Sequence, residues 1–222
     1  MRQLAGDVHM LDGRPRNAIN VYLAGDVLID AATRRGERRI MRQIAGMSIT
    51  AHALTHAHPD HQGSSHAICT ALGIPLWCGA GDVPAMETIG GVGSSQAPGW
   101  LNRLQQRFWT GPPHPVARAL VEGDEVAGFT VLESPGHSPG QVAYWRESDR
   151  VLILGDVLNN IHVFTGIPGL HEPPTAFTAD PARNRRSARR LAELRPRLTC
   201  FGHGAPLRDP GRLSDFVDRL AS

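Results

Sequence analysis

The chain contains no lysine: all 23 of its basic residues are arginines, set against 21 acidic residues. This absence excludes a lysine Schiff base, a lysine nucleophile and the lysine of a phosphate-binding P-loop. Cysteine is scarce as well. Cys69, Cys78 and Cys200 form no CxxC pair and leave one over in any pairing scheme, which predicts reduced, buried thiols. Any chemistry must therefore come from other residue types.

Long apolar runs are also missing from the sequence, so it predicts neither a membrane span nor a signal peptide, and the expected compartment is the cytoplasm. A length of 222 residues with 41% hydrophobic content predicts a single domain over residues 1–222 with its own core. Arginines concentrate in segments 34–42 and 183–197. A nucleic-acid surface is one interpretation, but exposed helix faces are the simpler one, so we expect neither a nucleic-acid nor a membrane partner.

Short β-branched runs alternate with segments of helical character. The predicted strands are 8–11, 19–25, 26–32, 48–56, 74–79, 127–135, 141–147, 150–156 and 197–203. Tight turns at Gly25-Asp26 and Ser148-Asp149 join two pairs of them as hairpins. The predicted helices are 34–45, 62–72, 80–88, 98–108, 181–194 and 210–220. Hairpins mixed with helices indicate sheets covered by helices, with irregular loops at 90–99 and 159–180.

What is abundant is metal-binding chemistry in the stretch THAHPDHQG, residues 55–63. His56 and His58 follow a predicted strand in extended geometry, because a residue before proline is kept out of the helical region. Alternate side chains of an extended segment share one face, so these two imidazoles can share one ion. Beyond Pro59 the chain turns, and Asp60 and His61 can serve a second ion nearby.

Three later motifs each place one more metal-ligand type at the end of a strand. His137 lies in SPGHSPG, Asp156 ends the apolar RVLILGD, and His203 stands between two glycines in RLTCFGHG. A buried, unpaired aspartate is costly, so a cation is the natural partner of Asp156, and its two oxygens can reach two ions. Cys200 alternates with the strand interior and is predicted to be a core thiol rather than a ligand.

In this order the motifs resemble the metallo-β-lactamase fold hydrolases, whose pattern is HxHxDH, a histidine, an aspartate or cysteine, and a final histidine. The match spans residues 30–204. The resemblance implies an α+β fold, an αββα sandwich of two mixed β-sheets flanked by helices, with the metals at one edge. It also gives Asp30, which ends VLID, a role in supporting the ligands rather than in binding metal.

The resemblance further implies a dinuclear zinc hydrolase, with two zinc ions per chain, although iron and manganese suit the same ligands. It assigns His56, His58 and His137 to the first ion, Asp60, His61 and His203 to the second, and Asp156 to a bridge between them. The implied nucleophile is a metal-bridging hydroxide, and Asp60 is expected to help orient it.

The branch of the family is narrowed by what the chain lacks. An aspartate at 156 in place of cysteine, and the absence of lysine, argue against β-lactam hydrolysis. Glyoxalase II adds a C-terminal helical domain, and acyl-homoserine lactonases place a tyrosine where this chain has Asn159 and Asn160. The prediction is hydrolysis of a small-molecule ester, lactone or thioester, with homodimerisation left open.

Two alternatives remain beside this prediction. The resemblance extends to persulfide dioxygenases, which would bind a single iron through His56, His137 and Asp156. A catalytically silent binding protein is the other, but it would be expected to have lost ligands, and all seven are present. Candidate walls of the substrate cleft are side chains of the helical insertion, Trp100, Phe108 and Trp109, and of the loop after Asp156, His162, Phe164 and His171.

Overall fold

The computed structural model describes residues 1–220. Its strands are β1 (Arg2–Ala5), β2 (Val8–Met10), β3 (Tyr22–Ala24), β4 (Val27–Ile29), β5 (Ala51–Ala53), β6 (Leu76–Gly79), β7 (Val116–Leu120), β8 (Glu125–Val126), β9 (Phe129–Glu133), β10 (Val142–Arg146), β11 (Val151–Ile153), β12 (Asn159–Ile161), β13 (Pro168–His171) and β14 (Leu198–Cys200). Its α-helices are α1 (Glu37–Gln43), α2 (Pro59–Gln62), α3 (Ser65–Leu72), α4 (Val83–Glu87), α5 (Trp100–Trp109), α6 (Pro181–Glu193) and α7 (Pro210–Asp218).

Two mixed sheets form the centre of the molecule. The first has the order β1-β2-β3-β4-β5-β6-β7, antiparallel up to β4 and parallel from β4 to β7. The second has the order β14-β11-β10-β9-β8, in which only β11 and β14 run parallel. Strands β12 and β13 form a separate hairpin. The mixed character of both sheets agrees with the prediction.

Apolar side chains arrange these elements in four layers. The largest cluster lies between the sheets and includes Val27 and Ile29 from the first sheet and Val131 and Ile153 from the second. Outside the first sheet, clusters join it to α1, α3 and α4. Outside the second sheet, another joins it to α6 and α7. The αββα sandwich is thus confirmed, because each sheet buries both faces and each helix buries one.

Two buried tyrosines tie the sheets together close to the strand ends. The Tyr22 hydroxyl, on the first sheet, donates to the Phe201 carbonyl at 2.7 Å, just after β14. The Tyr144 hydroxyl, on the second sheet, donates to the Leu54 carbonyl at 2.6 Å, just after β5. A buried hydroxyl needs such a partner, and here each bond crosses the sandwich.

Most predicted elements are present, with shorter bounds. The predicted helix 62–72 instead divides into α2 and α3 at Gly63, where a Cβ would lie 2.3 Å from the Arg34 nitrogen and 2.4 Å from the Trp109 carbonyl oxygen. Segment 159–180 is not purely irregular, because it contains the β12–β13 hairpin. Strands β1, β7 and β8 were not predicted. None of the helices among residues 1–220 is long and apolar enough to cross a bilayer.

All three cysteines are free and buried, as predicted. Burial raises the pKa of the Cys69 and Cys200 thiols to about 12, and it also raises that of Cys78. Because the thiolate is the reactive form, we expect no cysteine of the native protein to react with a chromogenic disulfide reagent at pH 8, and all three to react in denaturant. One thiol that reacts rapidly in the native protein would contradict this.

Candidate metal centre

The first group of site residues follows the end of β5 in the first sheet. Residues 54–58 lead from β5 to α2, and His58 caps α2 in extended geometry, with φ −72° and ψ 155°. Pro59 fits the first helical position, where its missing N–H costs nothing. The short helix therefore presents Asp60 and His61 one turn beyond the paired histidines. All four of these side chains are buried.

The second group comes from three strand ends of the second sheet. His137 lies between β9 and β10, Asp156 follows β11, and His203 follows β14. The Leu154 N–H donates to the Cys200 carbonyl at 2.9 Å, so the chains that leave β11 and β14 remain side by side. All three side chains are buried at the same edge of the sandwich as the first group.

The structure brings all seven predicted ligands together. Three overlapping groups each have their ligand atoms within 4.8 Å of one another: His56, His58 and His137; His56, His61 and Asp156; Asp60, His61 and His203. The first and third groups contain the residues assigned to the two ions. Asp156 lies between them, with Oδ2 at 3.7 Å from His137 Nε2 and 3.0 Å from His203 Nε2. Asp156 therefore contacts residues of both groups.

Hydrogen bonds behind the ligands determine the tautomers of His56 and His61. His61 Nδ1 lies 2.9 Å from Asp30 Oδ2 and can only donate to it, which leaves Nε2 as the lone pair facing the centre. The Thr55 hydroxyl also donates to Asp30, at 2.8 Å. It must therefore accept from His56 Nδ1 at 3.0 Å, so His56 also presents Nε2. Asp30 thus contacts His61 directly and His56 through the Thr55 hydroxyl.

The other three histidines are oriented in the same way. His58 Nε2 donates to the Ser95 carbonyl at 2.9 Å, so this ring presents Nδ1 to the centre. The Thr178 hydroxyl donates to the Pro174 carbonyl at 3.0 Å and accepts from His137 Nδ1 at 3.2 Å. His203 Nδ1 donates to the Ala18 carbonyl. All five imidazoles thus have their outer nitrogen engaged and turn their other ring nitrogen towards the same space.

Several of these inward atoms have no protein partner. His56 Nε2, His61 Nε2, His137 Nε2 and Asp156 Oδ1 are buried and make no hydrogen bond among the described residues. Leaving buried polar atoms unpaired is expensive, and four within one cluster require a common partner. Imidazole nitrogens and carboxylate oxygens are the donors that zinc and related ions prefer. The residues present therefore fit a metal centre.

The charges of the cluster agree with that fit. Burial and the neighbouring imidazoles hold the pKa values of His56 and His137 well below the usual range, so both are neutral ligands. Burial opposes charge on Asp156 too, but His203 and His61 outweigh it and lower the pKa of this carboxyl. Burial by itself would lower the pKa of His203, but the carboxylates of Asp156 and Asp60 outweigh it and raise this pKa to about 10. The carboxylates of the centre therefore attract cations.

A buried aspartate that the sequence prediction missed connects the two groups. Asp82, just after β6, accepts from the Ala57 N–H, the Gly140 N–H and the Ser138 hydroxyl, each at 2.8 Å. Ala57 lies between two ligands, and Ser138 follows a third. The available signal was the same as for the ligands, a carboxylate directly after an apolar strand, but LWCGAGD has no histidine beside it.

We expect Asp82→Asn to destabilise the protein and loosen the centre. An amide keeps one acceptor oxygen but turns an NH2 group towards the donors, which costs about 1–3 kcal/mol per unsatisfied group. Urea unfolding should show that loss, and purified protein should carry less metal than the wild type. Asp215→Asn, on the exposed face of α7, is the matched control and should match the wild type in both measurements. Unchanged unfolding and metal content for Asp82→Asn would show that Asp82 does not connect the loops.

A cavity of about 510 Å³ opens onto the centre. Of the predicted aromatic walls, Trp109 and Phe164 line it, and Phe108 lines an adjoining cavity. Neither Trp100 nor His162 is among the lining residues of either cavity, and His171 lines a separate, smaller one beside α7. The structure also shows wall residues that the sequence did not single out: Ile19, Ile161, Val163 and Phe177.

Comparison with known proteins identifies one superfamily. The family model described as the metallo-beta-lactamase superfamily matches residues 14–203. The probable metallo-hydrolase YflN of Bacillus subtilis is 28% identical over 219 residues, which cover 90% of this chain and 79% of that protein. The hydroxyacylglutathione hydrolase of Rhodospirillum rubrum is 32% identical over 117 residues, but the match covers 51% of this chain and only 35% of that protein.

Solved structures share the architecture over nearly the whole chain. The crystal structure of TTHA1623 in a di-iron-bound form is 30% identical, with a TM-score of 0.62, and the match covers 92% of this chain and 89% of that one. Crystal structures of subclass B3 metallo-beta-lactamases superpose with TM-scores up to 0.70. Proteins described under different names therefore share this fold.

Proposed function

Since this chain belongs to the metallo-β-lactamase superfamily, we propose that it is a metal-dependent hydrolase of small esters, lactones or thioesters that works with two zinc ions. One observation carries the proposal: seven buried side chains converge, five of them in the wall of one cavity, and each histidine has its outer nitrogen engaged so that its other ring nitrogen faces the same space. A decaying or purely structural cluster would not keep every tautomer fixed.

Two complete ligand groups support two ions rather than one. His56, His58 and His137 would hold the first ion, and Asp60, His61 and His203 the second, with Asp156 between them. When bound, such a pair lowers the pKa of a shared water and stabilises negative charge on a carbonyl oxygen. The mononuclear iron oxygenase predicted as an alternative would use only part of this set and would leave the second group without a role.

The chain itself supplies the positioning of the substrate and the water. Asp60 lines the cavity, with its Oδ2 at 3.3 Å from His203 Nε2. Burial opposes its charge, but His61 and His203 lower the pKa of Asp60, so it is an ionised acceptor for a water proton. His58, His137 and His203 line the same wall, so a reacting group would meet the ligands directly.

The substrate class is proposed from the cavity and the relatives. A volume of about 510 Å³ suits a small molecule rather than a polymer. Relatives carry the names metallo-hydrolase and hydroxyacylglutathione hydrolase, which support hydrolysis of an activated acyl group. The lactonase tyrosine has no equivalent in the cavity, because both tyrosines of the chain are buried in the core. A lactone is therefore kept as one substrate among three.

The test begins with metal content, measured by plasma mass spectrometry on protein purified without chelator or added metal. We expect about two zinc ions per chain and turnover of at least one of a phenyl ester, a γ-lactone and an acyl thioester, all lost on chelation. A β-lactam and a persulfide, the latter assayed by oxygen consumption, complete the panel. A single iron with persulfide-dependent oxygen uptake would overturn the proposal in favour of the dioxygenase.

A point variant links the activity to the centre. His58→Ala removes one ligand and the contact with Ser95, so we expect loss of one ion and a drop in turnover of about 100-fold or more. His9→Ala on β2, far along the chain from every ligand, is the control and should keep the metal content and the turnover of the wild type. Full metal occupancy and full turnover in His58→Ala would show that the cluster is not the active centre.

A further inference from the structure

A second cavity adjoins the one at the metal centre. We call it the distal cavity; its volume is about 460 Å³ and its lining is Thr33, Arg35, Leu101, Leu104, Gln105, Phe108, Trp109, Phe164 and Phe177. Four of these residues, Gln105, Trp109, Phe164 and Phe177, also line the cavity that contains the ligands. The two spaces therefore share a wall and form one groove that starts at the metal centre.

Most of the apolar lining of the distal cavity comes from two elements. Helix α5 contributes Leu101, Leu104 and Phe108, and the turn of the β12–β13 hairpin contributes Phe164. Leu104 is 49% exposed, Phe108 44% and Phe164 59%. Large apolar side chains grouped at this exposure mark a binding surface more often than a solvated one.

Helix α5 also carries polar side chains that face away from the groove or hold the helix in place. Its sequence WLNRLQQRFW places Arg103 and Arg107 in solvent, while Asn102 is buried and donates to the Ala97 and Ala176 carbonyls at 2.6 and 2.7 Å. These bonds fix the helix against the segment that follows the hairpin. The groove between α5 and the hairpin is therefore preformed and needs no rearrangement to admit a ligand.

We propose that the distal cavity binds the apolar acyl chain of the substrate, which makes this chain selective for medium-chain acyl esters, lactones or thioesters. The inference rests on the proposed function, because it assigns the acyl carbonyl to the metal centre. In the reaction a water oxygen bonds to the acyl carbon and the C–O or C–S bond breaks. From an ester or thioester the alcohol or thiol leaves with a proton and the fatty acid is the second product, whereas a lactone opens to a single hydroxy acid.

Continuity with the centre is the reason for choosing an acyl chain over other occupants. A chain bound at the carbonyl must run on into the groove past Trp109 and Phe177, because these side chains line both cavities. An apolar chain would cover Leu104, Phe108 and Phe164, removing their exposed surface from water. A strongly polar substituent would gain nothing from those three side chains.

The first experiment is a chain-length series on the metal-loaded wild type, using p-nitrophenyl or thioester substrates from acetyl to decanoyl. Each methylene that is fully buried should change kcat/KM by about fourfold, and each methylene in a half-exposed groove by about twofold. We therefore expect kcat/KM to rise by about two- to fourfold per methylene up to a plateau at the length that fills the groove. A flat or falling series, from a protein that does hydrolyse acetyl substrates, would overturn the inference.

Variants then locate the effect. In Phe108→Ala and Leu104→Ser the ratio of kcat/KM for octanoyl over acetyl should fall by about fivefold or more, since half-exposed apolar contacts are lost. Trp100→Ala is the matched control, because it removes an aromatic of the same helix that is 67% exposed and is not among the lining residues of either cavity. An equal fall in Trp100→Ala would show that the groove does not carry the selectivity.

A binding measurement separates this inference from the proposed function. Decanoic acid should change the fluorescence of Trp109 in metal-free wild-type protein, with acetic acid at the same concentration as the reference, and Trp109→Phe should abolish the signal. If no acyl substrate is hydrolysed but decanoate still binds, the proposed function fails and the groove assignment stands. If acyl substrates are hydrolysed without length preference and decanoate does not bind, the groove assignment alone fails.

Discussion

Replacing Asp156 with asparagine is expected to remove at least one metal ion per chain and to lower turnover by about 100-fold or more. The side chain is 4% exposed, and it lies between ligands of both groups: Oδ2 is 3.7 Å from His137 Nε2 in the first group and 3.0 Å from His203 Nε2 in the second. In the proposed dinuclear centre, an amide would remove the negative charge from between the two ions and turn a donor towards one of them. No neighbouring carboxylate lies where it could replace both contacts, because Asp60 reaches only the second group.

Metal analysis and turnover of the purified variant provide the measurement, with Asp215→Asn on the exposed face of α7 as the control for the same chemical change. Far-ultraviolet circular dichroism checks that the sandwich is intact. Loss of one ion with the other retained would identify the group that depends more on Asp156. Wild-type metal content together with wild-type turnover would show that this aspartate does not bridge.

Gly202→Ala is expected to damage the centre nearly as much as Asp156→Asn does, although Gly202 has no side chain that could bind a metal. A Cβ at this position would lie 1.9 Å from Asp156 Oδ1 and 2.7 Å from His61 Cε1, far inside van der Waals contact. The backbone cannot easily retreat, because the Gly202 N–H donates to the Gly155 carbonyl and its own carbonyl accepts from the Asn20 N–H, both at 2.8 Å. The added methyl must therefore displace the ligands, at a cost of about 1–3 kcal/mol in stability.

We expect the Gly202→Ala protein to fold, to bind at most one ion and to lose most of its activity, as measured by thermal unfolding, metal analysis and turnover. Gly99→Ala is the control, because a Cβ there would meet no atom within 4 Å. If Gly202→Ala matched Gly99→Ala in metal content, the tight packing around the bridging aspartate would not be needed for the centre.

The ligands could be predicted because each of them carries a local signature. Asp156 and His203 stand at the ends of apolar strands beside glycines, and the cluster from His56 to His61 has more metal-binding side chains than a loop needs. Such positions require only short-range rules, namely strand period and the restriction before proline. The pairing of distant ligands into two groups came instead from the resemblance to a known family.

Elements without a local signature were missed. Strand β7 reads VARAL, in which an arginine occupies the middle of a half-exposed edge strand, and its identity depends on pairing with β6. Strands β12 and β13 read NNI and PGLH, with asparagine, glycine and proline that normally indicate a loop. Tertiary contacts, not intrinsic preference, make these segments extended.

The support behind the ligands could not be predicted for a different reason. Asp82 contacts residues 25 and 56 to 58 positions away, and the Ser95 and Ala18 carbonyls are main-chain atoms that any residue type would supply. A sequence does not reveal which backbone oxygen will face a histidine. Tautomers, and therefore the direction of each lone pair, can be read only from the folded structure.

The spread of the ligands along the chain also has a consequence for the order of events in biogenesis. His56 and His203 are 147 positions apart, and the ligands come from both sheets. Neither half of the sandwich holds the full set, so a complete binding site exists only after β14 has paired with β11. Contacts this distant in sequence form late and slowly. We therefore expect metal ions to complete their ligand set only in the assembled scaffold, and metal-free and metal-loaded protein to reach the native state at similar rates.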